Sequence, residues 1–304
     1  MKLASTSGHF KPIDPDNHIE RIRHVAKGGF KYIDLSFYDI DFNNSPFILD
    51  GWQEYVNQLK DLAKELDIKF VQAHLPNCNP LDEEKFEEYL KVTIRSIEIC
   101  GMLGIENAVI HVGWKDAISK EQFFEMNLKA LEPLFPAMEK WNVNVLIENS
   151  AKSNMGDKYY FLTGADMKEF IEYANHPLIH ACWDLGHANI EGHQYEDIIA
   201  LGKNLKAIHV HDNNGIGDQH VALFSGTVNM DEVMTALIDS GYNGYFTFEA
   251  DCAVSYGQTW QMNRHKFEKS TLLFDPTLEM FDAAERFHFE IGKACLKEYG
   301  IFED

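Results

Sequence analysis

Basic residues are scarce in this chain. Its 304 residues hold 27 Lys and Arg against 48 Asp and Glu, a formal net charge of −21. Nucleic-acid binding rests mainly on Lys and Arg neutralising phosphates, and an anionic membrane face attracts the same residues. The deficit therefore argues against both partners. Long apolar runs are also missing: nothing reaches the about 18 residues that suggest a membrane-spanning helix. Met1 to Lys11 carries no apolar stretch of signal-peptide length. The five cysteines (Cys78, Cys100, Cys182, Cys252, Cys295) are odd in number, scattered and without a CxxC pair. That excludes a disulfide framework or a cysteine zinc site and points to a reducing cytoplasm. Cys182 sits in an apolar strand pattern and reads as a small core residue. No Pro/Gly/Ser linker, low-complexity tract or composition break divides the chain, so one domain over 1–304 is expected. The Gly-rich turn of a dinucleotide fold is absent as well, because Ser7-Gly8-His9-Phe10 follows the first strand pattern.

What is present is apolar bulk and alternation. Hydrophobic residues make up 45% and aromatics 12%, enough for a large core. Short β-rich runs fall at Lys2–Ser7, Phe30–Phe37, Ile68–His74, Asn107–Val112, Val143–Asn149, Ile179–Asp184, Leu205–His211 and Gly244–Ala250. Amphipathic segments lie between them at Asn17–Lys27, Gln53–Leu66, Glu83–Leu103, Glu121–Trp141, Ala165–Ala174, Tyr195–Gly202 and Asp231–Ser240. Asp82 before an acidic turn, Ser119 three residues before Gln122, and Gly241 after Ile238 mark helix ends. Eight such strands predict the α/β class and a single (β/α)8 barrel rather than an open sheet. An extra C-terminal helix is expected at about 276–299, its Phe281, Phe287, Phe289 and Ile291 packing on the barrel or on another subunit.

In such a barrel the working residues stand at the C-terminal strand ends. Those ends deliver His74, His111, Glu148, Asp184 with His187 one turn on, His209 and His211 with Asp212, and Glu249. A lone strand-end histidine is usually structural. Six consecutive strands bringing an imidazole or a carboxylate to one rim crowd like charges together, which is costly unless a cation compensates. Two Glu, one Asp and one His form an oxygen-rich set suited to Mn²⁺, Mg²⁺, Co²⁺ or Zn²⁺. His209 and His211 share strand parity, and spacing does not choose between them.

Ile147-Glu148-Asn149-Ser150, Trp183-Asp184-Leu185-Gly186-His187, His209-Val210-His211-Asp212-Asn213 and Phe248-Glu249-Ala250, taken in order, resemble the xylose-isomerase-like barrels. That superfamily includes sugar (phosphate) isomerases and epimerases and the apurinic-site endonucleases, and the resemblance covers Lys2 to about Asp251. Its H-x-x-D/E pattern selects His209 as the strand-seven ligand, with Asp212 behind it and His211 lining the pocket or standing behind the ligands. The implied metal site is Glu148, Asp184, His209 and Glu249, holding one divalent ion, with Mn²⁺ foremost. The endonuclease branch adds ligands that His74, His111, His187 and Asp218-Gln219-His220 match, although the loop bearing Asp218 is shorter.

The activity this implies is isomerisation or epimerisation of a sugar or sugar derivative. A proton leaves the carbon beside a carbonyl through a metal-stabilised enediolate, with Glu148 and Glu249 as base and acid. His187 steadies a substrate oxygen, while His74, His111, His211 and His220 line the sugar pocket. Trp114 either stacks on a sugar face or packs its loop. Asp212 and Asp218 support the ligands from behind. A phosphorylated substrate wants clustered cations, and Lys115, Lys152 and Lys158 are scattered, which favours a neutral sugar. The aromatic loops Tyr38–Gly51 and Asn149–Leu162 are expected to cover the mouth and leave room for a bulkier glycoside. A lyase or dehydratase on a keto-sugar, keto-glycoside or cyclitol shares the first proton step. A multinuclear zinc phosphodiesterase and a non-catalytic sugar-binding subunit are the remaining readings. Self-association through the barrel helices and the aromatic C-terminal helix is expected.

Overall fold

The computed structural model describes residues 1–156, 159–251 and 276–304. Eight parallel strands close into a barrel in chain order: β1 (Lys2–Thr6), β2 (Tyr32–Ser36), β3 (Lys69–His74), β4 (Asn107–Ile110), β5 (Asn144–Glu148), β6 (Ile179–Asp184), β7 (Leu205–Val210) and β8 (Tyr245–Phe248), with β8 pairing back onto β1. Parallel neighbours need long crossovers. These carry α1 (His18–Gly28), α2 (Trp52–Leu66), α3 (Phe86–Leu103), α4 (Lys120–Leu131), α5 (Phe135–Trp141), α6 (Lys152–Met155), α7 (Gly164–Ala174), α8 (Leu185–Glu191), α9 (Tyr195–Leu201) and α10 (Met230–Asp239), and α11 (Leu278–Glu298) follows the barrel.

β3 and β6 end where their β-rich runs do, at His74 and Asp184, while the other ladders stop earlier than the runs. His111, His211 and Glu249 each stand one residue beyond the last strand residue, where the chain turns outward over the rim. The helix expected over Glu121–Trp141 is two helices. Pro133 and Pro136 lack the N–H that an unbroken ladder requires, so a 3₁₀ turn at Glu132–Leu134 separates α4 from α5. Ser119 starts α4 as anticipated, with its hydroxyl accepting from Gln122 N and the Gln122 amide accepting from Ser119 N. The acidic turn after Asp82 is not yet helix: Asp82 Oδ1 accepts from Glu84 N, and α3 begins at Phe86. Outside the expected segments stands α8, which follows β6 directly and is capped by Asp184 itself.

Two layers inside the barrel position the site. Val109, Leu146, Cys182 and Ala207 form a buried apolar cluster apart from the main core. Side chains on a strand repeat their direction every two residues. Two positions further along those four strands stand His111, Glu148, Asp184 and His209, so the apolar cluster is the floor beneath a layer of ligand-type side chains.

The C-terminal helix runs back down the outside of the barrel. Its Phe281 lies against Phe10 near the C-terminal rim and its Phe289 against Phe30. Beyond it, Glu303 N donates to Met1 O at the far end. The packing is close enough to demand glycine: a Cβ on Gly292 would come within 2.6 Å of the Phe248 ring. Phe287 points outward and is 49% exposed. Among the described residues, no helix is long and apolar enough to cross a membrane.

Candidate metal-binding active site

Glu148 and Glu249 approach each other across the barrel through His209. Its Nδ1 lies 2.7 Å from Glu148 Oε1 and 3.1 Å from Glu249 Oε2. Glu148 is wholly buried, while the Glu249 side chain keeps 20% exposure. Burial raises the pKa of a carboxylic acid, yet the facing imidazoles, His209 first, outweigh it and hold both glutamates well below the usual range. Burial also opposes a charge on His209, but the adjoining Cys182, Glu249 and Glu148 reverse it and raise its pKa well above the ordinary value. The other ring nitrogen of His209 meets the Gln72 amide at 2.8 Å. With its NH₂ toward the ring, Gln72 donates; turned over, it accepts, so it can serve His209 in either tautomer.

Two further groups flank this centre. On one side His74 Nε2 and His111 Nε2 stand 3.3 and 3.4 Å from Glu148 Oε2. On the other, His187 Nε2 and His220 Nε2 stand 2.9 and 3.2 Å from Asp218 Oδ2. Glu148 therefore faces two groups at once, one through each oxygen. Backbone carbonyls set the tautomer of three of these rings. His74 Nδ1–H donates to Leu75 O, His187 Nδ1–H to Asn149 O and His220 Nδ1–H to Glu249 O, at 2.8–3.0 Å. A neutral ring so held turns its Nε2 lone pair toward a carboxylate oxygen at 2.9–3.3 Å. That contact is repulsive unless a proton or a metal ion lies between.

Among the described residues, the buried atoms Glu148 Oε2, Asp184 Oδ2, Asp218 Oδ1 and His211 Nε2 have no hydrogen-bond partner. Buried polar atoms are seldom left so. This nitrogen-and-oxygen donor set fits a divalent ion such as Mn²⁺, Co²⁺ or Zn²⁺. Where a proton fills the gap instead, burial disfavours the His187 cation, but Asp184 and Asp218 outweigh it and lift its pKa to about 10. His111, with burial dominant, falls to about 4.

The structure does not gather all four expected ligands into equivalent contacts. Asp184 Oδ1 caps α8 by accepting from His187 N at 2.6 Å, and its Oδ2 lies 3.0 Å from His211 Nε2. His211 stacks on His220 with ring centres 3.8 Å apart and presses on Gly186, where a Cβ would lie 2.0 Å from the ring. Asp212 turns away from the rim, its carboxylate accepting from Asn213 N, Gly226 N and Val228 N and so organising the loop after β7. Trp114 is half-buried against the core, with its backbone held by Asn79 in both directions. Lys152 lies 3.9 Å from Glu191, Lys115 is exposed, and Lys158 lies outside the described residues, as does Cys252.

Several further residues hold the site in place. Asn149 bridges to β6, its side chain accepting from Asp184 N at 2.6 Å and donating to Asp184 O at 3.0 Å. Asn154 donates to Asp218 Oδ2 at 2.8 Å, and Tyr159 OH to Glu148 O at 3.1 Å. The Tyr38 ring lies edge-on to His74 and His111, centroids 4.9 and 5.9 Å away. Both aromatic loops thus reach the site. Asn149 stands inside the Ile147-Glu148-Asn149-Ser150 motif, though nothing in the motif shows its bonds to Asp184; nothing local marks Asn154 or Gln72.

Known proteins share this architecture. An uncharacterized protein of Methanocaldococcus jannaschii is 26% identical over 210 residues, covering 64% of this chain and 68% of its own. A probable endonuclease 4 of Aquifex aeolicus is 24% identical over 213 residues, covering 63% and 72%. The solved structure of D-psicose 3-epimerase with D-tagatose from Clostridium cellulolyticum H10 superposes with a TM-score of 0.75 at 18% identity, covering 97% and 99%. Residues 22–268 match the family described as xylose isomerase-like TIM barrel, and with most of its length inside that match the chain belongs to this family.

Proposed function

We propose that this chain is a divalent-metal-dependent enzyme that isomerises or epimerises a small sugar or sugar derivative. The observation that carries the reading is the pair of anionic glutamates, Glu148 and Glu249, meeting at His209 above an apolar floor. When bound, a divalent ion, with Mn²⁺ foremost, supplies Lewis-acid stabilisation of negative charge on the substrate oxygens, worth several kcal/mol. The chain's own part is proton transfer and orientation. One glutamate takes a proton at Oε from the carbon beside a carbonyl; the other, first protonated by exchange with solvent, delivers that proton to the carbon, and the first then releases its own to solvent, each transfer contributing about 10²–10⁴-fold. His187, with a proton at Nε2 where it faces Asp218 Oδ2 at 2.9 Å, would donate to a substrate oxygen. His74, His111, His211 and His220 line the hydroxyl-binding wall, and Tyr38 limits access of water from above. The superposition on a sugar epimerase over nearly the whole chain supports this reading.

A specific observation favours a second reading. The groups His74–His111–Glu148 and His187–Asp218–His220 suit additional ions, as a multinuclear zinc phosphodiesterase requires, and a probable endonuclease 4 is among the relatives. The charge of −21 weighs against a DNA substrate.

One experiment separates the readings. Metal analysis of the purified protein is combined with a panel of ketoses and keto-glycosides in D₂O and with abasic duplex DNA. Deuterium entering a sugar carbon with epimeric product is the expected result. Elimination products point instead to the lyase, and two or three zinc ions with cleaved abasic DNA overturn the sugar reading.

A further inference from the structure

Another His/carboxylate group lies outside the site. His9, in the turn after β1, places Nδ1 2.7 Å from Glu285 Oε2 on α11, and His288 Nδ1 lies 3.7 Å from the same oxygen. All three side chains are buried. Their ligand-type atoms lie within 4.8 Å of one another, as in a metal site. The hydrogen bonding of His9 speaks against that use. Ala250 N lies 2.9 Å from His9 Nε2, and a backbone N–H only donates, so Nε2 holds the lone pair. The proton of a neutral His9 ring then sits on Nδ1, aimed at Glu285. A metal on Nδ1 would move that proton to Nε2 and set it against the Ala250 N–H.

The same peptide unit is held from its other side. The Glu249 carbonyl accepts from His220 Nδ1–H at 2.8 Å. The bond joining Glu249 to Ala250 is therefore gripped by one imidazole at its C=O and another at its N–H. It lies just past the end of β8, where the last ladder bond, Glu249 N to Val210 O at 3.1 Å, leaves the following peptide without a strand partner. The side chain it aims is the more exposed of the two central glutamates, with less packing to orient it.

We infer that His9 and Glu285 are positioning residues that act through the Glu249–Ala250 peptide to aim the Glu249 carboxylate at the metal site. Docking of α11 thereby becomes a condition for a formed site, across a separation of 276 residues. The inference rests on the reading of Glu249 as a metal-site residue.

Mn²⁺ titrated calorimetrically into the full-length, chelator-treated protein tests it. His9→Leu removes the acceptor for Ala250 N–H and is expected to weaken the tightest Mn²⁺ binding by about 10–100-fold, the usual loss for a residue that orients a ligand. His9→Gln, which keeps an acceptor and a donor, is expected to recover most of it. In a Glu249→Gln background, His9→Leu is expected to add little further loss. Wild-type affinity in a folded His9→Leu protein overturns the inference, as does an equal loss with and without Glu249. Should His9→Leu not fold, Glu285→Met against Glu285→Gln asks the same question: Met, without an acceptor, is expected to weaken binding and Gln to restore it, and equal affinities overturn the inference. If Glu249→Gln alone binds Mn²⁺ like wild type, the metal-site reading itself fails, whatever His9 does.

Discussion

Two groups in this protein are built on the same residue types with opposite wiring. His187–Asp218–His220 at the rim, which His211 extends to a group of four, and His9–Glu285–His288 under α11 each set two histidines on one carboxylate, all buried. At the rim, backbone carbonyls take the Nδ1 protons of both rings, so the Nε2 atoms converge on one oxygen. Under the helix, a backbone N–H takes the Nε2 lone pair of His9, and the Nδ1 proton goes to Glu285. The first arrangement suits a cation between its members; the second fixes a peptide. Residue type alone does not separate a ligand from a brace. The backbone partner of the opposite ring nitrogen does.

The largest test falls on the residue shared between rim groups. Glu148→Gln is expected to lower turnover by at least about 10²–10⁴-fold and to reduce metal content, with far-UV circular dichroism unchanged. Full activity and metal content would remove Glu148 from the mechanism.

Next in size is the contrast between the two groups in metal response. Ligand binding to the folded state stabilises by about 2.7 kcal/mol at 100 times Kd, so a chelator is expected to lower Tm. Asp218→Asn is expected to shrink that shift if its group holds an ion. His288→Phe is expected to leave it intact, because neither ring nitrogen of His288 has a hydrogen-bond partner among the described residues and its ring stacks on Phe248. Equal effects of the two substitutions would break the comparison. Metal analysis of Asp218→Asn sharpens it further: a drop in stoichiometry favours more than one ion, whereas an unchanged value with a raised KM assigns Asp218 to substrate orientation.

The smallest effect concerns a buried histidine with no carboxylate partner among the described residues. His18 is packed against Phe47, and burial first, with Arg21 and Lys11, depresses its pKa to about 3. Its unfolded form takes up a proton near pH 6.5 and the folded form does not, so stability is expected to fall as pH drops below about 6.5, by about 1.4 kcal/mol at about pH 5.5. Glu285 is also depressed, to about 2, because His9 and His288 outweigh its burial. Its contribution is complete above about 4.5 and is lost as pH falls toward 2. Tm followed from pH 7 to 3 is expected to decline in wild type from the higher pH, and His18→Phe to postpone the onset. An onset that His18→Phe does not move would show that this ring is protonated in the fold.

The alternation of strand and helix was legible in the chain because parallel strands buried on both faces read as short apolar runs between amphipathic helices. The rim was legible for a related reason. Period-two geometry carries ligand-type side chains two residues past Val109, Leu146, Cys182 and Ala207, so their concentration at strand ends stands out in the sequence. Strand ends were overrun at His111, His211 and Glu249 because the apolar pattern continues for a residue after the ladder stops. The break between α4 and α5 was marked by Pro133 and Pro136 but outvoted by the surrounding helical pattern.

By itself, then, the sequence determined the order of elements and the identity of the rim side chains, since both follow from local periodicity. Tertiary structure alone decided which neighbour each histidine meets. It sets His209 against the two glutamates and His211 against Asp184, although the two are two residues apart. It also brings Glu285 to His9, and so the C-terminal helix to the peptide behind Glu249. The physical reason is that a ring nitrogen's role depends on its hydrogen-bond partners, and those partners come from strands, loops and a helix that only closure of the barrel places within 3 Å or so of one another.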